Sequence, residues 1–261
     1  MNLKNIPKYV PGHNLLNGKK VLITASAGTG IGFAVAKKCI EEGAMVFISD
    51  IHGERLQKAQ NSLHENTGYK PDYAICDVTK QSDVNDLILS ASTSLSGIDI
   101  VINNAGLGGT ANLIDMTDEQ WMVVLDVTLN GCFRVNRAAM QFMKDNGGGV
   151  IVNNASVLGW RAQKGQAHYA AAKAGVMALT RCAGLEGAEY GVRVNAVAPS
   201  LALHPFLHKV TSKELLAELE AKEAFGRGSE VWEQANAMIF LASDYSSYMT
   251  GEVISTSSQK A

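Results

Sequence analysis

Lys20-Val-Leu-Ile-Thr24-Ala-Ser-Ala-Gly28-Thr-Gly30-Ile-Gly32 decides the fold of this chain. A short apolar, β-branched run passes through a glycine-rich turn directly into a helical pattern. There Ile31, Ala34, Val35 and Cys39 share one face, while Lys37, Lys38, Glu41 and Glu42 point elsewhere. Glycines let the backbone turn tightly and approach an anionic group, and a helix N-terminus offers it free N–H groups. A plain turn also needs glycine; the strand–turn–helix context is what favours a dinucleotide pyrophosphate. Thr24, Ser26, Gly28, Gly30, Ile31 and Gly32 are the candidate contacts.

Working outward, Gly43 stops the helix and Met45–Ser49 reads as a second strand, followed by Asp50. A carboxylate about twenty residues beyond such glycines can accept hydrogen bonds from the adenosine ribose hydroxyls and repels a 2′-phosphate. No Arg or Lys immediately follows Asp50, and Thr29 supplies no cation, so NAD is favoured over NADP. The plainer reading, that Asp50 only starts a turn, sits less well with its place after a buried strand.

The alternation then repeats. Helical patterns at about Glu54–Asn66, Ser82–Ser96, Asp118–Lys144, His168–Glu189 and Trp232–Ala242 separate strands at Tyr73–Cys76, Ile98–Asn103, Val150–Asn154, Val192–Val197 and Glu252–Ser255. Strands apolar throughout and separated by helices predict a single-domain α/β fold. It is a Rossmann-type, doubly wound sheet of about seven parallel strands. Residues 1–18 read as an N-terminal extension and 19–261 as the Rossmann-fold domain. Ser200–Gly228 breaks the rhythm, either as a lid over the carboxyl edge of the sheet or as an extra surface helix.

The 261 residues are 46% hydrophobic and 18% charged, with a net charge of −2. That balance offers no global attraction to nucleic acid or anionic membrane. No apolar run is long enough to span a bilayer, and the N-terminus does not resemble a secretory signal. Cys39, Cys76, Cys132 and Cys182 have no metal-ligand spacing and read as buried free thiols in a cytoplasmic protein. No metal site is expected.

Tyr169 and Lys173, four apart in a helical segment, lie on one face. Chance alone can produce that spacing. Ser156, just past the fifth strand, falls at the same edge of the sheet. A free phenol titrates at about 10, and a nearby ammonium lowers that value toward a useful base. Ser156 would then orient a substrate oxygen while Tyr169 moves its proton.

With these residues stand Asp77-Val78, Asn103-Asn-Ala-Gly106, Tyr169-Ala-Ala-Ala-Lys173, Arg193-Val-Asn195 with Pro199, and Phe240-Leu-Ala-Ser-Asp244 through Thr250-Gly251. In this order the chain resembles the short-chain dehydrogenase/reductase family over everything after residue 18. The resemblance implies hydride transfer between a nicotinamide dinucleotide and a secondary alcohol or ketone. It also implies that Asp77 and Val78 contact adenine, and that Asn103, Asn104, Ala105, Gly106 and Pro199 line the cofactor. Tyr169 and Lys173 border it too, with Lys173 on the nicotinamide ribose. Members are commonly homotetramers joined partly through the helix carrying Tyr169. The small run Ala170-Ala-Ala172 and Ala174-Gly175 would allow such packing, or equally an ordinary buried helix.

Four departures from the family pattern stand out. Ala25 takes the place of the first glycine in a turn one residue longer than usual. Thr128 replaces a catalytic asparagine that anchors a water relay, and Asn130 lies about 200° around the helix from it. Pro199 is followed by Ser200, with His204 where a threonine is common. The tail Ser255-Thr-Ser-Ser-Gln259 is also atypical.

The turn, the tail, and Asn153-Asn-Ala-Ser156 with Leu158-Gly-Trp160 resemble a subgroup acting on CoA thioesters of steroid C/D-ring fragments (hydroxy-indanone carboxyl-CoA dehydrogenases). In that reading Leu107, Leu158, Trp160, Phe206 and Leu207 form an apolar pocket. Otherwise Leu158 and Trp160 are core. His208, Lys209 and Lys213 either meet coenzyme A phosphates or form a solvated face. The alternatives are a 3-oxoacyl thioester reductase using NADPH, and a nucleotide-binding regulator or assembly subunit that kept the fold without catalysis.

Overall fold

A computed structural model describes residues 5–205, 207 and 211–258. Its strands are β1 Lys20–Ile23, β2 Met45–Asp50, β3 Asp72–Ile75, β4 Ile100–Asn103, β5 Gly149–Asn154 and β6 Val192–Pro199. Two-residue strands β7 Ala202–Leu203 and β8 Ser229–Glu230 precede β9 Val253–Thr256. The helices are α1 Ile31–Glu41, α2 Gly53–Thr67, α3 Gln81–Leu95, α4 Asp118–Leu125, α5 Gly131–Asp145, α6 Ala167–Ala188, α7 Lys213–Lys222 and α8 Val231–Ala242.

The main sheet is parallel and runs β3-β2-β1-β4-β5-β6-β9. This is the expected doubly wound α/β architecture. From β1 the chain builds outward through β2 and β3, then returns to lay β4 on the other side of β1. The crevice outside the carboxyl ends of β1 and β4 is therefore the switch point. Successive strand residues feed opposite layers. Val21, Ile23, Val46, Ile48 and Ile102 pack with α1, α2 and α8, while Leu22, Phe47, Val101 and Ile151 pack with α3 and α5. Covering both faces explains why the strands are apolar at every position rather than alternating.

The structure differs from the sequence expectations at three points. Asp50 is the last residue of β2 rather than the one after it. The helix read as continuous from Asp118 is broken by a π-helical turn, Asp126–Asn130, where the Gly131 N–H reaches back five residues to the Asp126 carbonyl. Cys182 lies exposed on the outer side of α6, whereas Cys39, Cys76 and Cys132 are buried. Apolar neighbours in sequence did not reveal which side of that helix was covered.

The first described residues pack on α1 and α8. Lys38 and Glu42 form an ion pair at 3.6 Å with both side chains only 2% exposed. Glu42 also accepts from the His13 and Leu15 N–H groups at 2.7 and 3.0 Å, and Lys38 donates to the Val10 carbonyl. Tyr9 meets Trp232 edge-on, with ring centroids 5.3 Å apart. No helix among the described residues is long and apolar enough to cross a membrane. Among those residues, no group of three or more His, Cys, Asp or Glu is placed to hold a metal ion.

Candidate active site

The glycine-rich turn is pinned from beneath. Thr24 and Ser26 are fully buried. Thr24 Oγ1 accepts from the Asn104 and Ala105 N–H groups at 3.0 and 3.2 Å, tying the end of β1 to the loop after β4. Ser26 Oγ lies 3.2 Å from the Ile23 and Ser49 carbonyls. Both hydroxyls thus face inward, leaving the turn's backbone to meet a ligand. Ala25 sits at φ +50°, a left-handed conformation that a glycine adopts without penalty. Asn104 Nδ2 holds the Ala25 carbonyl at 2.9 Å. At Gly32 a Cβ would lie 2.4 Å from the Ala25 oxygen, so only glycine lets α1 start this close.

Above the turn there is room. A Cβ at Gly28 or Gly30 would meet nothing within 4 Å, and no side chain caps the α1 N-terminus, whose first residue is Ile31. Free N–H groups facing open space fit the diphosphate of a dinucleotide. Asp50, at the end of β2, bounds the crevice; its carboxylate accepts from the Ala27 and His52 N–H groups at 3.3 and 3.1 Å. Asp77 is held below the usual carboxylate range by hydrogen bonds from Thr79, with Lys80 3.5 Å away. Val78 packs against Gly131, and Gly106 borders Lys173: a Cβ there would lie 3.4 Å from Nζ. Pro199 ends β6 opposite Thr256.

Ser156, two residues past the end of β5, caps the short turn Val157–Gly159 by accepting from the Leu158 N–H at 3.2 Å. Helix α6 begins at Ala167 and presents Tyr169 and Lys173 one turn apart. Lys173, 2% exposed, donates to the Asn154 carbonyl, and its Nζ lies 5.5 Å from the Tyr169 ring centroid. Ser156 and Tyr169 line one cavity of about 760 Å³. Leu215, Glu218, Leu219 and Lys222 supply another wall, at the spacing of a single helix face of α7.

Thr128, buried in the π turn, does not present a free hydroxyl. Its Oγ1 accepts from the Leu107 N–H at 3.0 Å and donates to the Leu107 carbonyl at 3.1 Å. Asn130 bonds Asp126 instead. Asn103 turns away from the crevice: its Nδ2 donates to the Cys132 carbonyl and Asn153 Oδ1 inside the protein, leaving Asn104 beside the turn. His204 Nδ1 accepts from the Leu207 N–H at 3.3 Å.

Of the residues expected to form an apolar pocket, Leu158 lines the cavity. Leu107 and Leu207 are not among its walls, and Trp160 is 51% exposed, so it is neither wall nor core. Phe206, His208 and Lys209 lie outside the described residues. Lys213 opens α7 and is not a cavity wall. Among the described residues, the cations lining the cavity are instead Arg161, Lys164 and Lys222. Sequence reasoning also missed Asn154, whose side chain bonds Asn104 at 2.9 Å. The available signal was a pair of asparagines ending each of two adjacent strands.

Known proteins similar to this chain share its length and fold. A family model described as enoyl-(acyl carrier protein) reductase matches residues 25–257. The chain is 56% identical to a Mycobacterium tuberculosis protein named (5R,7aS)-5-hydroxy-7a-methyl-1-oxo-2,3,5,6,7,7a-hexahydro-1H-indene-carboxyl-CoA reductase, over 99% of both chains. It is 36% identical to a 3-oxoacyl-acyl-carrier-protein reductase of Chlamydia trachomatis, over 92% of this chain and 96% of that one. The crystal structure of a short chain dehydrogenase from Mycobacterium smegmatis superposes with a TM-score of 0.89 at 51% identity, covering 100% of both chains.

Proposed function

This chain belongs to the short-chain dehydrogenase/reductase family, and we propose that it interconverts a ring alcohol and ketone on a cyclic, steroid-derived acyl-CoA. The carrying observation is the cavity beside Ser156 and Tyr169. Val157, Leu158, Leu201, Leu215 and Leu219 suit a hydrocarbon skeleton, and Arg161, Lys164 and Lys222 suit the phosphates of the coenzyme A handle. The name of the Mycobacterium tuberculosis relative describes a substrate of that kind. Helix α7 serves as the lid of this pocket.

Family members bind NAD(P), which when bound supplies or takes the hydride. Ser156 holds the reacting oxygen, and Tyr169 gives or takes its proton. Lys173 stands beside that ring and would bind the nicotinamide ribose, while Thr128 positions the loop at Leu107. Gly28, Gly30, Ile31 and Gly32 receive the diphosphate, Asp77 and Val78 the adenine, and Asn104, Ala105, Gly106 and Pro199 line the remaining path. Asp50 favours NAD over NADP by repelling a 2′-phosphate. Exposed Ala171, Ala174 and Ala178 on α6, beside a groove lined by Phe133, Met140 and Leu179, support assembly as a homotetramer. Four unpaired thiols suit the cytoplasm.

The test is a comparison of initial rates for bicyclic keto- and hydroxyacyl-CoA esters and linear 3-oxoacyl thioesters, with NAD(H) and NADP(H). Faster turnover of the bicyclic esters with NAD(H) is expected, and Asp50→Ser should narrow the cofactor preference at least tenfold. Preference for linear thioesters with NADPH would replace this reading by that of a 3-oxoacyl thioester reductase.

A further inference from the structure

We propose that Asn154 is a positioning residue that keeps the alanine-containing turn in its ligand-receiving shape, acting through Asn104. The inference rests on reading residues 24–32 as the dinucleotide site.

Asn154 ends β5, and its Nδ2 donates to Asn104 Oδ1 at 2.9 Å. Asn104 Nδ2 in turn donates to the Ala25 carbonyl at 2.9 Å and the Thr24 carbonyl at 3.3 Å. Donor–acceptor logic fixes both amides. Two carbonyls face the Asn104 nitrogen, so its oxygen must face Asn154, and only the Asn154 nitrogen can answer it. Asn154 Oδ1 is left buried and without a hydrogen-bond partner. A buried acceptor in that state is costly, and its orientation is kept because the opposite one would set two oxygens face to face.

This hold matters because of what it grips. Ala25 at φ +50° is disfavoured for an L side chain, so something outside the residue must keep it there. The Ala25 oxygen packs against Gly32, so any drift at Ala25 moves the first turn of α1, where the free N–H groups lie. The same Asn154 receives Lys173 on its backbone oxygen. One residue therefore sets the turn on one side and the ammonium on the other. A glycine at position 25 would make the side-chain hold dispensable.

NADH titration followed by fluorescence tests this on the full chain, with Asn154→Leu and Asn154→Asp each made alone and combined with Ala25→Gly. Aspartate keeps the shape but cannot donate to Asn104. Both single variants should bind NADH about tenfold more weakly, with a matching rise in its KM. Combined with Ala25→Gly, the loss should shrink to less than about threefold. Equal loss in both backgrounds, or wild-type affinity in Asn154→Asp, overturns the proposal. Thermal unfolding midpoints identify any variant that has not folded, and the aspartate series decides the matter if the leucine one fails. Gly30→Val, which fills the open space over the turn, separately tests the site: undiminished NADH binding there would overturn the dinucleotide reading itself.

Discussion

The Thr128 hydroxyl grips both backbone groups of Leu107, accepting from its N–H at 3.0 Å and donating to its carbonyl at 3.1 Å. Leu107 follows Gly106, whose Cα faces Lys173. A threonine in a π turn thereby fixes the loop that borders the ammonium. Thr128→Val keeps the shape and removes the grip. Turnover should fall by three- to tenfold, roughly the worth of one or two neutral hydrogen bonds. Unchanged kcat in a folded Thr128→Val protein would show that the loop keeps its place without this clamp.

Tyr169→Phe removes the phenol that shares the cavity with Ser156 while leaving the ring beside Lys173. Loss of a positioned acid–base group costs about 10²–10⁴-fold in rate. We expect that loss in kcat with NADH affinity, measured by fluorescence titration, within about threefold of wild type. Turnover within tenfold of wild type would assign the proton transfer to another group.

Glu42→Gln leaves the buried Lys38 ammonium opposite a neutral amide, with the partly exposed Glu41 carboxylate 3.9 Å away as its remaining ion-pair partner and the Tyr9–Leu15 segment held less firmly. Breaking one side of a buried pair costs about 3–5 kcal/mol. For a chain of this length that predicts a fall in melting temperature of roughly 10 °C. Denaturant unfolding with Lys38→Met added should recover part of the loss, because the buried, poorly compensated charge is then gone. A loss below about 1 kcal/mol in Glu42→Gln would mean that water reaches Lys38.

Much of the site was readable in one dimension. The strand–turn–helix at Lys20–Gly32 and the one-turn spacing of Tyr169 and Lys173 are short-range patterns, where each residue's neighbours in sequence are also its neighbours in space. Asp50 was placed within one residue of its position. Side-chain direction was less legible. Thr24, Ser26 and Asn103 belong to the right segments, yet their polar groups turn inward to bind backbone and core. The π turn was invisible because it inserts no unusual residue; it changes the phase of an otherwise regular helical pattern.

By itself the sequence determined the order of strands and helices, the parallel sheet and the switch point at its carboxyl edge, and it named candidate residues there. Apolar periodicity and turn chemistry are local, and a parallel sheet with right-handed crossovers leaves few ways to arrange them. Tertiary structure decided which of those residues touch. Asn154 meets Asn104 fifty residues earlier, and Leu107 meets Thr128 twenty-one residues later. The face of α7 that carries Leu215 and Lys222 lines one cavity with Ser156. Such contacts depend on strand register, helix phase and the packing of one layer on another, quantities that arise only when the whole chain is assembled.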